Sequence, residues 1–404
     1  MTIRITKPKF NLREKLSELD KPTGLKGNEL MRSDTTQDAR DLISAGRRNK
    51  IINGAMLIDQ RHNGSSNSSS NGYHTDRFRT QAAGMDQLNQ SYQQVSDGPD
   101  GFPKSLKITT NTAESNIAST GEYLALYQKI EGQNLQDLAY GTISAKPVTV
   151  SFYVKSSITG TFCYTVYRNE TTDRAINKTY TIDNANTWER KSITLEGDTV
   201  QAIGNDNADN WWNVWILGSS PGYYSAPTSV WANYSGSNWA GFHEENGLIT
   251  TQNATWQITG VQIEVGENAT EFEHRPYAEE LTLCERYYEV HWQNHNPNNP
   301  AGAHNDGYNA ISAGGVAGSK VYFPFKYRTQ KRASPTLEHS GKFRISGGSG
   351  GSANNVTPDE FYSPSIDGGR LRFPQSGGSN GDGMWLEFDG GNSTNGYIAI
   401  EAEL

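Results

Sequence analysis

Cysteine is nearly missing from this chain: 404 residues contain two, Cys163 and Cys284. They lie far apart in no CxxC or Cys/His spacing, so zinc is not expected. A single disulfide between them stays open, with two buried free thiols the preferred state. Charge is scarce as well, with 20% Asp, Glu, Lys and Arg and a net charge of −8. A phosphate-binding surface needs a clustered basic footprint, so nucleic acid is not an expected partner. The start, MTIRITKPKF, lacks the apolar core of a signal peptide, and no apolar run reaches a membrane span, so no membrane insertion is expected. Hydrophobic residues make up 34%, low for one large enzyme core. No G-x-S-x-G elbow, P-loop or HExxH occurs, and no cofactor is implied.

What the chain has instead is 41 glycines, 20 tyrosines and nine tryptophans. A polar, weakly charged surface with rings to spare suits sugars better than nucleic acid. Three regions follow from the pattern. Residues 1–48 are polar with mixed charges, and SDTTQDARDLISAGRR predicts a helix capped by Asp34 and ended by Gly46. Its few apolar residues, chiefly Leu42 and Ile43, suit a segment that orders against a partner.

From Asn49 to Arg275 the pattern is β throughout. KIINGAMLIDQR opens with apolar alternation around Asn53-Gly54, and SLKITTN, KPVTVSFYVKSS, TGTFCYTVYRN, NKTYTI, WERKSITLEG, DNWWNVWILGSS and NATWQITGVQIEVG follow. Short alternating strands separated by turn residues imply a two-sheet sandwich, with a jelly roll preferred over a barrel. Residues 276–404 then read as a short helix and a smaller β module with glycine-rich loops. The helix begins after Pro276, and the spacing of Tyr277, Leu281, Cys284 and Tyr288 predicts one apolar face. The modest apolar content of the last module suits a core completed by copies of itself.

The segment ITGVQIEVGENATEFEHRPYAEELTLCERYYE resembles one found in bacteriophage tail-fibre and related virion proteins. In these, a carbohydrate-binding-like jelly roll ends in a Q-x-E-x-G strand followed by F-E-x-R-P-Y and a helix ending C-x-R-Y-Y. Gln262, Glu264, Gly266, Phe272, Glu273, Arg275, Pro276, Tyr277, Cys284, Arg286, Tyr287 and Tyr288 fill those places. LMRSDTTQDARDLISAGRRNKIINGAML is similar to the leader of the same proteins, feeding a first strand at Ile51, Ile52 and Asn53. FPFKYRTQKRASPTL resembles their F-P-x-x-x-R…P-T segment.

The resemblance implies a mainly β protein: an N-terminal extended and helical attachment segment (1–48), a jelly-roll β-sandwich (49–275), then a short junction helix and a smaller C-terminal β-sandwich (276–404). It implies a virion location, a homotrimer, and docking to other virion proteins through the leader, with Phe10, Leu12, Leu42 and Ile43 as attachment residues. Host surface polysaccharide or lipopolysaccharide is the expected external partner. Glu273, Arg275 and Arg286 are expected to form structural ion pairs rather than catalytic groups.

Candidate glycan contacts come from the ring-rich stretch DNWWNVWILGSSPGYYSAPTSVWANYSGSNWAGFHEE. Sugar recognition pairs a ring face with planar polar groups that bind hydroxyls. Adjacent strand residues such as Trp211 and Trp212 face opposite sides, so part of this cluster belongs to the core. The selected residues are Tyr223 and Tyr224 in the loop PGYYSAP, then Trp231, Tyr234 and Trp239, with Trp292 and Tyr308 from HWQNHNPNNPAGAHNDGYN at the C-terminal end. His291, His295 and His304 in that stretch are too irregularly spaced for a metal site. The carboxylate pairs Glu244/Glu245, Glu279/Glu280 and Asp359/Glu360 are sequence neighbours, not residues converging across a cleft, so a non-enzyme is expected. The alternatives are a capsid-decorating or baseplate fibre without a receptor role and, less favoured, a polysaccharide-cleaving depolymerase.

Overall fold

The computed structural model describes residues 48–118, 121–223, 229–236, 247–293, 311–317, 320–341, 343–347, 353–374, 383–388 and 397–404, together with Arg32. Met1–Arg48 and Asn49–Leu404 are separate compact units, and the second holds all the elements below. The predicted N-terminal helix and Phe10, Leu12, Leu42 and Ile43 lie outside the described residues.

In chain order the strands of the first sandwich are β1 (Tyr73–Thr75), β2 (Phe78–Ala83), β3 (Asn89–Val95), β4 (Ser105–Thr112), β5 (Tyr123–Ile130), β6 (Val148–Ser156), β7 (Gly160–Arg168), β8 (Arg174–Ile182), β9 (Glu189–Leu195), β10 (Trp211–Ser219), β11 (Ala232–Asn233) and β12 (Thr255–Val265). They form a seven-stranded sheet, β1-β2-β5-β10-β7-β8-β11, and a five-stranded sheet, β3-β4-β12-β6-β9, all pairs antiparallel. The alternate apolar residues of both sheets meet in one core: Leu124, Leu126, Tyr164, Val166, Trp211 and Trp215 from one, Ile108, Val150, Phe152, Trp256 and Ile258 from the other. A short helix, α1 (Gly247–Thr250), adds Leu248 and Ile249. This is a jelly-roll β-sandwich.

The opening stretch departs from the expected strand at Ile51, Ile52 and Asn53. It has no regular strand, although Ile51 and Met56 still reach the core. Asn53 takes a left-handed backbone, φ 60°, and its side chain donates to the carbonyls of Ile58 and Asp76 while accepting from Ile58 N–H. Gly54 packs so tightly on β12 that a Cβ there would lie 2.1 Å from the Val261 carbonyl oxygen. A local side-chain network replaces the ladder, which is how Asn competes with regular structure.

After β12 the segment that carries the resemblance forms a joint. Glu264 accepts from the Thr270 N–H and hydroxyl at 2.8 and 2.6 Å, and Glu273 receives the Asn49 N–H at 2.6 Å. Helix α2 (Tyr277–Glu285) starts after Pro276 as the sequence predicts, but its face differs from the expected one. Tyr277 is 60% exposed, and Tyr288 belongs to the next strand. The residues buried on α2 are Glu280, Cys284 and Glu285. Glu280 accepts the Asn53 N–H at 2.5 Å and pairs with Arg275 at 3.3 Å, while Glu285 pairs with Arg328 at 2.8 Å. Carboxylates rather than a hydrophobic stripe seat this helix, and hydropathy spacing cannot show that. Both cysteines are free and buried, and Arg275 and Arg286 sit in ion pairs, the latter with Glu131 at 2.8 Å.

The C-terminal strands are β13 (Tyr288–Gln293), β14 (Ile311–Ala317), β15 (Lys320–Lys326), β16 (Thr336–Ser340), β17 (Phe343–Gly347), β18 (Ala353–Val356), β19 (Glu360–Tyr362), β20 (Gly368–Pro374), β21 (Gly383–Phe388) and β22 (Tyr397–Glu401). The sheets β13-β22-β16 and β18-β17-β21-β14-β15-β20-β19 enclose their own core of Val321, Phe323, Phe343, Leu371, Phe373 and Ile400, among others, a second, smaller sandwich. The last residues return to the jelly roll: Glu403 pairs with Arg77, and with Arg61 at 3.2 Å, and the Leu404 carbonyl accepts the Tyr73 hydroxyl at 3.2 Å.

At the base of this second sandwich Glu289 is fully buried and receives Lys331 Nζ at 2.6 Å and His291 Nδ1 at 2.8 Å. Burial alone would raise its carboxyl, but the His291 and Lys331 side chains and the Arg328 N–H outweigh it and hold the group down at about 2, against an ordinary 4.5. A carboxyl depressed in the fold stabilises it above its ordinary value, and that contribution disappears as pH falls toward the folded value. In urea titrations the stability gap between wild type and Glu289→Gln is therefore expected to close between pH 4.5 and about 2. A gap that stays constant over that range would remove Glu289 from the acid response.

Candidate functional site

The seven-stranded sheet has a second face, turned away from the core, and the strand register decides what stands there. On β10, Trp211, Asn213 and Trp215 point inward, leaving Trp212, Val214 and Ile216 outside. Cross-strand pairing sets Trp212 opposite Lys129 of β5 and Tyr167 of β7, and Val214 opposite Tyr127 and Thr165. Next door, Tyr127 stands opposite Arg79 of β2, and Ala125 opposite Gln81. Ala125, Tyr127, Cys163, Val214 and Ile216 form a small apolar floor with Tyr123, Trp212 and Tyr223 against it.

On this floor lies a groove of about 240 Å³ lined by Gln81, Tyr123, Ala125, Tyr127, Tyr167, Trp212, Val214 and Tyr234. That is near the lower end of ligand-pocket sizes, which run from roughly 300 Å³ upward, and suits a ring-sized group. Its lining crosses the sheet from β2 to the residue after β11.

The walls are braced rings. Trp212 stacks on Tyr127 with centroids 5.6 Å apart and meets the edge of Tyr167 at 5.2 Å, and Tyr167 meets Tyr234 at 5.1 Å. The Lys129 ammonium lies 3.8 Å from the Trp212 ring centroid and is fixed by Asp209 at 2.7 Å. Trp212 Nε1 donates to the Asp209 carbonyl at 2.9 Å, so the indole is locked in place. Polar groups interleave: Tyr167 donates to Asp173 at 2.7 Å, and Tyr127 to Gln81 at 3.4 Å. Burial pushes the Tyr127 phenol up to about 12, and burial with the Asp173 carboxylate raises that of Tyr167 further. Both phenols therefore stay protonated at neutral pH, and with their protons given to Asp173 and Gln81 their oxygens remain to accept. Rigid rings beside hydroxyls and an amide can take the C–H face of a sugar ring and bind its hydroxyls.

The predicted residues fall in different places. Tyr234 lines the groove and is 40% exposed. Tyr223 packs edge-on against Tyr123 at 5.6 Å, at its margin. Trp231 packs instead against the sandwich core, with Tyr140 and Trp211 at 5.8 and 6.0 Å, and its indole donates to the Glu196 carbonyl. Tyr224, Trp239, Tyr308 and the side chain of Trp292 lie outside the described residues. Sequence reasoning selected none of Gln81, Tyr123, Tyr127, Tyr167 and Trp212. A signal existed: in EYLALYQKI and TFCYTVYRN, rings occupy the phase opposite Leu124/Leu126 and Tyr164/Val166, where a solvent-facing strand position is ordinarily polar.

A second depression, of about 400 Å³, on the C-terminal sandwich includes Pro335, Leu337, Phe361, His339 and Asp359. Its Asp359 is occupied by Arg372, at 2.9 Å, and by Lys320. Among the described residues no group of three or more His, Cys, Asp or Glu is placed to hold a metal ion, and no helix is long and apolar enough to cross a membrane.

Fold and groove together define a jelly-roll protein with an aromatic groove on the outer face of one sheet. No family model and no curated protein matches the chain. Among solved structures it is similar to the enzymatically active domain of bacteriophage CBA120 tailspike protein 4, at 14% identity and a TM-score of 0.29 over 54% of this chain and 21% of the tailspike chain. It is similar to the family 11 carbohydrate-binding module from Clostridium thermocellum in complex with a β-1,3-1,4-mixed-linked tetrasaccharide, at 9% identity and 0.25 over 52% of this chain and 98% of the module. A tandem family 22 module pair from Paenibacillus barcinonensis Xyn10C aligns with 85% of this chain and 99% of its own, at 11% identity and 0.24.

Proposed function

We propose that this chain is a glycan-binding subunit of a bacteriophage tail fibre, which holds host surface polysaccharide or lipopolysaccharide in the groove of the seven-stranded sheet during adsorption. The observation that carries the binding half is the groove itself: Tyr123, Tyr127, Tyr167, Trp212 and Tyr234 converge from separate strands around an apolar floor. Support for the virion half is the resemblance of the joint from Gln262 to Tyr288 to tail-fibre proteins. In this reading the N-terminal segment docks to the particle, three copies assemble, and the C-terminal sandwich extends the fibre. The groove binds without cleaving: Asp173 and Asp209, the carboxylates bonded to its rings and to Lys129, are engaged in positioning them.

The test is the full chain on an array of bacterial capsular polysaccharides and lipopolysaccharide O-chains. Saturable binding is expected to fall roughly tenfold or more in Trp212→Ala, as for a buried aromatic anchor. Tyr234→Ala, at a half-exposed position, is expected to weaken binding with little change in melting temperature. Array-wide silence from folded protein would overturn the reading.

A further inference from the structure

We propose that the groove is selective for acidic glycans, and that Arg79 reads the sugar carboxylate. The inference rests on the groove being the glycan site and adds its ligand class.

Arg79 stands on the outer face of β2, opposite Tyr127 and two residues from Gln81, which puts it at the β2 end of the groove. Its guanidinium carbon lies 5.8 Å from the Tyr127 ring centroid and 5.9 Å from that of Tyr73, near the outer limit for cation–π attraction. The side chain is half-buried, and among the described residues it has no ion pair or hydrogen bond.

Among the described arginines around this sheet that is exceptional. Arg61 and Arg77 share Glu403, Arg168 and Arg174 share Asp198, and Lys129 holds Asp209. Each of those cations has a fixed partner, and the chain as a whole carries a net charge of −8. A cation between two tyrosines at the mouth of an aromatic groove, with no ion pair among the described residues, has no structural task that these contacts show. A groove for neutral sugars does not need one.

A guanidinium offers a planar fork that meets a carboxylate with two parallel N–H···O bonds, a match a hydroxyl cannot make. The far end has the opposite sign: Asp173 sits behind Tyr167, and Tyr234 N–H donates to its carbonyl. A uronate or sialate residue would therefore lie with its carboxylate at the β2 end and its hydroxyls toward Tyr167 and Tyr234.

The experiment uses the full chain and a panel of capsular polysaccharides, acidic and neutral, with each acidic polymer also presented after carbodiimide reduction of its carboxylates to alcohols. At least one acidic polymer is expected to bind about tenfold or more tightly than its reduced form, with an affinity that falls as salt rises. Arg79→Gln is expected to bring the acidic polymer down to the affinity of its reduced form, and Arg79→Lys to restore part of the difference. Reduced polymers bound as tightly as the acidic ones, or a preference that survives Arg79→Gln, would overturn the inference while leaving glycan binding in place. Failure of wild-type protein to bind any polymer would remove both.

Discussion

Glu403→Ala is expected to lower the unfolding free energy by about 3–5 kcal/mol, although the residue is next to last in the chain. Its carboxylate is 5% exposed and pairs with Arg77, which is 1% exposed, and with Arg61 at 3.2 Å. Removing it leaves Arg77 buried with one hydrogen bond, from Nη2 to the Lys129 carbonyl, and with its stacking on Tyr287 at 3.5 Å. The cost comes from an uncompensated buried charge more than from a lost attraction. The double variant Arg77→Met with Glu403→Leu is accordingly expected to be less destabilised than the sum of the two singles, in urea titrations of all four proteins. Additive effects would mean that the pair is not coupled. The position matters because Glu403 ties the end of the C-terminal sandwich to the jelly roll: loss of this contact should also increase hydrogen exchange at β22 and β1.

Trp215→Ala is the other large expected effect, again about 3–5 kcal/mol. Trp215 is fully buried on β10 and meets Tyr164, Phe152 and Phe78 at 5.2, 5.8 and 6.4 Å between ring centroids, at the point where the two sheets close on one another. Its indole nitrogen has no hydrogen-bond partner, so the loss is of packing and apolar burial. Trp215→Phe should recover most of it, whereas at Trp211, which donates to Asn213 at 2.8 Å, phenylalanine would also remove a buried hydrogen bond and leave the Asn213 oxygen with the Tyr164 hydroxyl alone. Denaturation midpoints for Trp215→Ala, Trp215→Phe and Trp211→Phe separate these terms. A small loss in Trp215→Ala would mean that the core collapses into the space.

These variants mark where sequence reading succeeds and fails. The seven strands read between SLKITTN and NATWQITGVQIEVG were legible because alternation is local, and Trp211 and Trp212 could be assigned to opposite faces for the same reason, but β5, which carries Tyr123 and Tyr127, was not read as a strand. The ring wall of the groove was not: Tyr127, Trp212 and Tyr167 lie 40 to 85 positions apart in the chain and are neighbours only through the β5-β10-β7 pairing. Helix α2 shows the converse. Its start at Pro276 is written in the sequence, but its buried face follows Asn53, Arg275 and Arg328, partners from three separate segments.

By itself, the sequence determined a mainly β chain and the short helix after Pro276, because backbone preference and side-chain period act over a few residues. Tertiary structure alone decided which rings meet on the outer face of the seven-stranded sheet and that Arg79 stands beside them without an ion pair among the described residues. Strand order and the pairing of buried charges are long-range choices, fixed only when both sheets close on their core.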